Sequence, residues 1–293
     1  MNHAFLIIAN RDSYTLSKLI ESIDSFNHDI YILFDKKSSL KEDDVILPKK
    51  SKFFFIPRIN IVWGAYSQVE AELALLNEAY KKQYDYYHII SGNDLMIQKK
   101  SYFDKFFEDN KGKEFITYCG KDWQNEAQNR VKYRYLAGGK DTFKSKVSSF
   151  LVKIQKLLHK NRIRKCKLSI VGGCNWVSIT NNATKLVLDN NMLIKKIFNH
   201  GYCVDELFIH TIIYNSDLKK NIYYLNQSDI NDDTDFNMYK ANQRYIDWVR
   251  GKPYTFKLED FSQLIDSKLM FARKFDSTIS KELIDKIVEF NKE

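Results

Sequence analysis

Ala4-Phe5-Leu6-Ile7-Ile8-Ala9, followed at once by Asn10-Arg11-Asp12, is an unbroken apolar run closed by polar and charged residues. It is much too short for the core of a signal peptide or for a membrane span, so it reads as a buried first strand. The same alternation continues outward, with a helical pattern over Tyr14 to Ile23, an apolar run at Ile30 to Phe34 and another at Phe53 to Ile56. Val69, Leu73, Leu76 and Tyr80 then recur at helical spacing, with Ser67 as the expected cap, and this helix feeds a strand at Tyr86 to Ile90. Strand, helix, strand in succession is the pattern of an α/β domain, a mostly parallel central sheet flanked by helices.

The 293 residues, 44% of them apolar, suffice to bury a sizeable core. Three prolines, ten glycines and no low-complexity stretch leave no linker, so residues 1–293 are expected to form a single domain. The net charge of +9 favours an anionic partner: nucleic acid, an acidic membrane surface or a phosphorylated substrate. Cys119, Cys166, Cys174 and Cys203 lie far apart without a C-x-x-C spacing, which argues against a zinc site or a disulfide framework and for a reducing cytoplasm. Abundant Lys, Asn and Ile fit an AT-rich bacterial genome.

Two strands end in polar residues, Asp35-Lys36-Lys37 and Ser91-Gly92-Asn93-Asp94. Ligands of open α/β sheets bind beyond such strand ends. Residues 140–167 carry ten Lys and Arg against Asp141 alone, with Val147, Phe150, Leu151, Ile154, Leu157 and Leu158 at helical spacing. This basic amphipathic helix with a basic extension can pack on the domain, dock on a membrane surface or bind nucleic acid. A glycine-kinked apolar segment, Ser169 to Ile179, precedes a helix from about Asn181. The last third is expected to hold a helix starting near Asp205, a strand at Ile222 to Leu225, an aromatic segment at Tyr245 to Trp248 and two closing helices.

Glu206, beside Asp205 at the start of an apolar helix, is placed for general base work, which needs a carboxylate held on rigid backbone in a tuned environment. The alternative is that both acids offset the helix dipole. Arg273 and Lys274 sit between Phe271 and Phe275, and Arg244 and Arg250 flank Tyr245 to Trp248. Cations clamped by apolar anchors can neutralise a departing diphosphate without a metal. A metal-dependent nucleotide-sugar enzyme would carry Asp-x-Asp after a strand, where this chain has Ser91-Gly92-Asn93-Asp94; Asp233-Thr234-Asp235 follows polar residues instead. There is no G-x-G-x-x-G, P-loop, G-x-S-x-G or H-E-x-x-H pattern. His88, inside an apolar strand, reads as a satisfied core residue, and Trp63 and Trp176 as packing or sugar-stacking side chains.

Taken in order, Ala4 to Ala9, Phe34 to Lys37, Val62 to Ser67, His88 to Asp94, Val204 to Glu206, Arg244 to Trp248 and Phe271 to Asp276 resemble the bacterial members of glycosyltransferase family 14, the core-2/I-branching β-1,6-N-acetylglucosaminyltransferases and peptide O-xylosyltransferases. The resemblance spans nearly the whole chain. It implies a GT-A-like fold, with a nucleotide-binding half of about residues 1–120 and an acceptor and catalytic half of about 121–293. It also implies an inverting, metal-independent transfer from a UDP-sugar, N-acetylglucosamine or xylose foremost, to a glycan or lipid-linked saccharide. Glu206 falls on the catalytic base, Lys274 on the lysine that contacts the diphosphate with Arg273 beside it, and Arg244 on an upstream basic position. Asp35 and the strand end from Ile8 to Asn10 fall where the nucleotide is held. Asp94, Trp63, Trp176, Asp205, Tyr133 and Arg134 are candidates for the sugars from position and chemistry. The chain lacks the membrane-anchored stem and the cysteine framework of the animal enzymes, which implies cytoplasmic action in surface polysaccharide synthesis, peripheral on the inner membrane face through residues 144–167. No metal, cofactor or nucleic acid is expected; the rival reading is a non-catalytic protein that binds nucleotide-sugar or nucleic acid through its basic surface.

Overall fold

The computed structural model describes residues 1–118, 120–136, 143–224 and 236–292. In chain order, the first half folds as β1 (His3–Ala9), α1 (Ser13–Ile23), β2 (His28–Asp35), β3 (Lys52–Ile59), α2 (Ser67–Tyr80), β4 (Tyr86–Ser91), β5 (Asp94–Met96) and α3 (Lys100–Asp109). Helices α4 (Lys121–Lys132) and α5 (Phe143–Leu157) follow, then β6 (Ser178–Thr180), α6 (Asn181–Asp189), α7 (Asn191–Phe198) and α8 (Phe208–Tyr214). The chain closes with α9 (Phe236–Asn242), β7 (Arg244–Ile246), α10 (Phe261–Asp266), β8 (Phe271–Arg273) and α11 (Ser277–Lys292).

The central sheet has the order β3-β2-β1-β4-β6; β1 to β4 are parallel and β6 is antiparallel to β4. Successive side chains of a strand point to opposite faces, and both faces here are covered. Phe5, Ile7 and Ala9 therefore join Ile30, Ile32 and Phe34 in a core under α1, α3 and α11, while Ala4, Leu6, Ile8, Tyr31 and Leu33 join α2, α6, α7 and α8 on the other side. This double burial is why the first strand reads as a continuous apolar run. Phe5, Leu6 and Ile7 are fully buried, and each contributes about 1.5–3 kcal/mol of hydrophobic stabilisation. A smaller sheet, β5-β8-β7, lies beside it, with β8 antiparallel to β5 and parallel to β7.

The mixed α/β architecture and mostly parallel sheet match the expectation, but several local readings differ. Ser67 does not cap α2: its hydroxyl accepts from the Val62 N–H at 2.9 Å, and Tyr66, the preceding residue, provides no side-chain cap. No strand forms at Ile222, which makes a single bridge to Glu114, and Leu225, like Asp233 and Asp235, lies outside the described residues. Helix α5 stops at Leu157, so the basic extension beyond it is not helical. Cys119 also lies outside the described residues; among the described residues Cys166, Cys174 and Cys203 form no disulfide with one another. Among the described residues no helix is long and apolar enough to cross a membrane.

Candidate active site

The carboxyl ends of β1, β2 and β4 open into a cavity of about 650 Å³, lined by residues of both halves of the chain. Ile8, Asn10 and Arg11 reach it from β1, Asp35 and Lys37 from β2, and Ser91 and Asn93 from β4. The parallel register sets Ile8 level with Leu33 and with Ser91, so the three strands deliver their terminal polar groups at one height. Asp35 is buried, and one of its oxygens accepts from the N–H groups of Lys37 at 3.0 Å and Ile61 at 3.3 Å. Asp35 is thereby fixed in orientation at the cavity edge. Gly92 is needed for close approach: a Cβ there would lie 2.9 Å from the Ala9 Cβ.

Opposite these strand ends stands a short 3-10 turn, Val204–Glu206, which precedes α8. Glu206 thus belongs to a turn, not to the first turn of the helix. The turn is held from below by the glycine-kinked segment, where the Gly173 N–H donates to the Glu206 carbonyl at 3.0 Å. A Cβ on Gly173 would meet the Thr117 carbonyl oxygen at 1.7 Å, so no larger residue fits this approach. The Glu206 carboxylate lines the cavity with its side chain 33% exposed and is paired with the Arg130 guanidinium. Arg130 in turn lies over the Trp123 ring at 4.8 Å and reaches Glu126 at 3.3 Å.

Asp205 turns inward, where Asn175 Nδ2 donates to its carboxylate at 3.0 Å. Burial, and after it the neighbouring Glu206, pushes Asp205 up to about 7. Glu72, buried behind it, is raised well above the usual carboxylate range, first by burial and then by Asp205. Carboxylates so close together do not all ionise at neutral pH; Glu72 is fully buried, while Asp205 and Glu206 are both half-buried at the cavity wall. Asp205 lines the cavity beside Glu206, and Glu72 lies behind it.

The cations are arranged differently from the expectation. Arg273, at the end of β8, lines the cavity with its guanidinium 5.1 Å above the Trp176 ring. It is aimed by Asp94, which accepts from Arg273 Nη1 at 2.8 Å and also from the Ser91 N–H at 2.9 Å and the Ser91 hydroxyl at 2.8 Å. Asp94 is therefore corrected from a sugar contact to a positioning residue: it is buried and its oxygens are already engaged. Arg244 is corrected more strongly. It is fully buried, donates to the carbonyl of Val177 at 2.8 Å and the hydroxyl of Ser178 at 2.9 Å, packs on Phe271 and does not line the cavity. Burial pushes it down to about 9, the price of stitching β7 to β4 and β6.

Lys274 follows Arg273 directly but is not a lining residue; the Asp276 carboxylate is favoured first by its hydrogen bonds from Thr278 and then by Arg11 and the Lys274 ammonium. Arg250 pairs with Asp247 and Asp260 and holds its own loop. Tyr133 is buried and Arg134 exposed, and neither lines the cavity. Trp63, Trp176, Asp205, Ile8, Asn10 and Asp35 all do. His88 is a satisfied core residue, within 2.9 Å of His3 Nδ1 and 2.7 Å of the Ser178 hydroxyl.

A cavity built from strand ends on one side and an Asp-Glu turn on the other coincides with a match of residues 3–266 to the family model of the Core-2/I-Branching enzymes. The chain belongs to the Core-2/I-Branching enzyme family. It is 21% identical over 300 residues to xylosyltransferase 2 of Canis lupus familiaris and 20% identical over 302 residues to that of Rattus norvegicus, covering 98% of this chain and 33% of each relative. It is 22% identical over 304 residues to xylosyltransferase oxt of Drosophila pseudoobscura pseudoobscura, with the same coverage. The chain thus spans about a third of the length of the curated relatives it matches.

In this Core-2/I-Branching member the residues that sequence reasoning passed over are Arg11, Trp123, Arg130, Asn175 and Lys252, all of which line the cavity. Arg130 follows Glu126 at the i,i+4 spacing of an ordinary solvated ion pair, which concealed its second partner, Glu206. Lys252 precedes Pro253 in the loop after β7, a position with no periodic signal. Both are found only when the loops that carry them are brought against the strand ends.

Proposed function

We propose that this protein transfers a sugar from a UDP-sugar to a hydroxyl group of a glycan or lipid-linked saccharide, with inversion at the anomeric carbon. The observation that carries the reading is that the Glu206 carboxylate and the Arg273 guanidinium line one cavity at the carboxyl ends of the parallel strands. In the proposed step the acceptor oxygen forms a bond to the anomeric carbon as the bond from that carbon to the β-phosphate oxygen breaks. Glu206 takes the acceptor proton, and the electron pair of the broken bond leaves with UDP.

The negative charge that develops on the diphosphate is proposed to meet Arg273 and Lys252 from the cavity wall, with Lys274 beside them, in place of a metal ion. Asp35 and the β1 end, Ile8 to Asn10, are the proposed nucleotide contacts, and Trp63 and Trp176 the proposed sugar-stacking faces. Burial raises Asp205 to about 7, and Glu206 is the acid of the pair proposed to act as base. The relatives named xylosyltransferase support xylose as donor sugar, with N-acetylglucosamine the second choice for this family. The proposed setting is surface polysaccharide synthesis on the cytoplasmic face of a bacterial membrane.

The test is release of UDP from UDP-xylose and UDP-N-acetylglucosamine, together with the thermal shift each induces, with and without excess EDTA. Stabilisation by one donor and UDP release undiminished by chelator are expected. A strict Mn2+ requirement would move the charge-stabilising role from the arginine and lysines to a bound ion, and absence of any donor-induced shift would overturn the reading.

A further inference from the structure

Helix α5 is built inside out. Its polar side chains face the protein: the Ser148 hydroxyl accepts from the Leu136 N–H at 3.0 Å, and the Gln155 amide exchanges hydrogen bonds of 2.9 Å with the N–H and carbonyl of Arg134. Apart from Val152, which is buried, its larger apolar side chains face away from it. Phe143, Phe150, Ile154 and Leu157 recur at spacings of 7, 4 and 3 residues, a single side of a helix. Phe143 is 82% exposed, Phe150 63% and Leu157 79%. Lys144, Lys146, Lys153 and Lys156 of the same helix are exposed as well. From Phe143 to Lys167 there are seven lysines, two arginines and no acidic residue.

A row of rings runs from the foot of this helix to the cavity. Tyr135 stacks on Tyr202 with centroids 5.6 Å apart, and Tyr202 meets Trp63 edge to face at 5.8 Å. Trp63 lines the cavity and is 54% exposed. Tyr and Trp are the side chains that settle at the boundary of lipid and water.

We propose that α5 lies in the plane of an anionic phospholipid bilayer, its apolar stripe among the acyl chains and its lysines at the headgroups, so that the Trp63 side of the cavity faces the membrane surface. An interfacial helix needs this combination of an outward apolar stripe and basic flanks. A nucleic acid would satisfy the lysines but leave Phe150 and Leu157 in water, and a neutral apolar partner would leave the lysines unpaired. The consequence for the substrate, that the acceptor saccharide is carried on a lipid in that bilayer, rests on the transfer proposed above; the docking itself does not.

Flotation with phosphatidylcholine vesicles, with and without phosphatidylglycerol, tests the docking on the full chain. Wild type is expected to float only with the phosphatidylglycerol vesicles and to be released by salt. Lys153→Gln with Lys156→Gln is expected to lower the partition coefficient about thirtyfold, and Phe150→Ser with Leu157→Ser about tenfold or more. Both double variants should keep wild-type thermal stability and UDP-sugar hydrolysis without vesicles, since none of these residues touches the cavity. Failure of wild type to float, partition of both variants equal to wild type, or loss of self-association or oligonucleotide binding without loss of flotation would each overturn the proposal. Flotation of a wild type that shows no UDP-sugar-induced thermal shift would overturn the transfer reaction and leave the docking standing.

Discussion

Glu206→Gln isolates the proposed base while keeping its shape. The substituted amide still accepts a hydrogen bond from Arg130, which is 13% exposed and retains Glu126 as an ionic partner. The lost ion pair is partly in solvent, so its removal costs about 1 kcal/mol at most, a fall in Tm of no more than about 2 °C for a chain of this size. Turnover responds on a different scale. A positioned general base contributes about 10²–10⁴ in rate, equivalent to about 2.7–5.5 kcal/mol of barrier, because an amide cannot take the acceptor proton. The assay is steady-state UDP release with donor and acceptor, paired with calorimetric titration of UDP. The expected result is kcat lowered by at least about a hundredfold with UDP affinity unchanged, since the nucleotide contacts proposed here lie across the cavity on β1 and β2. Glu126→Gln is the control: it removes the other carboxylate from Arg130, but Glu126 is 65% exposed and outside the cavity, so kcat should stay at the wild-type value. A Glu206→Gln enzyme with wild-type kcat, or one that loses UDP affinity while keeping its rate, would refute the role of Glu206 as base.

Arg273→Ala is expected to weaken UDP binding by about tenfold to a hundredfold, as loss of a charge-assisted donor costs about 1.5–3 kcal/mol. Asp94→Asn should weaken it less, because the guanidinium stays in place but loses its ionic brace; equal losses in the two variants would show that Asp94 does more than aim Arg273. Glu114, fully buried and accepting from the Thr180 N–H at 2.9 Å, is pushed by burial up to about 7. Its folded value lies above its unfolded one, so the stability it contributes is complete below about pH 4.5 and is lost as pH rises through 7, by about 3 kcal/mol in all. Urea unfolding of wild type and Glu114→Gln across pH 5 to 8 reads this directly. The stability difference between them should shift against wild type as pH rises, and a difference independent of pH would contradict the raised value.

Much of the scaffold was legible in one dimension because burial on both faces of a parallel sheet leaves unbroken apolar runs, as at Ala4 to Ala9 and Ile30 to Phe34. The loops that follow those runs share one end of the sheet, and in the structure they line one cavity there. The Glu206 position was legible from an acid placed just ahead of an apolar helix, although the acid proved to belong to the turn before it. The cation positions were not. Arg244 and Arg273 both sit in short strands beside apolar residues, and nothing local separates them; the register of β7 and β8 sends one into the core and the other to the cavity.

The amino-acid order alone determined the class of fold, the position of the first sheet, and the fact that residues 140–167 form a basic amphipathic segment, because these depend on hydrophobic periodicity and local charge. Tertiary structure alone decided which charges share the cavity, that Asp94 serves Arg273 rather than a sugar, and that the apolar side of α5 turns away from the protein. Periodicity specifies that a helix or strand has two faces, but which face meets the protein is set by contacts between residues far apart in the chain, and those contacts leave no trace in local spacing.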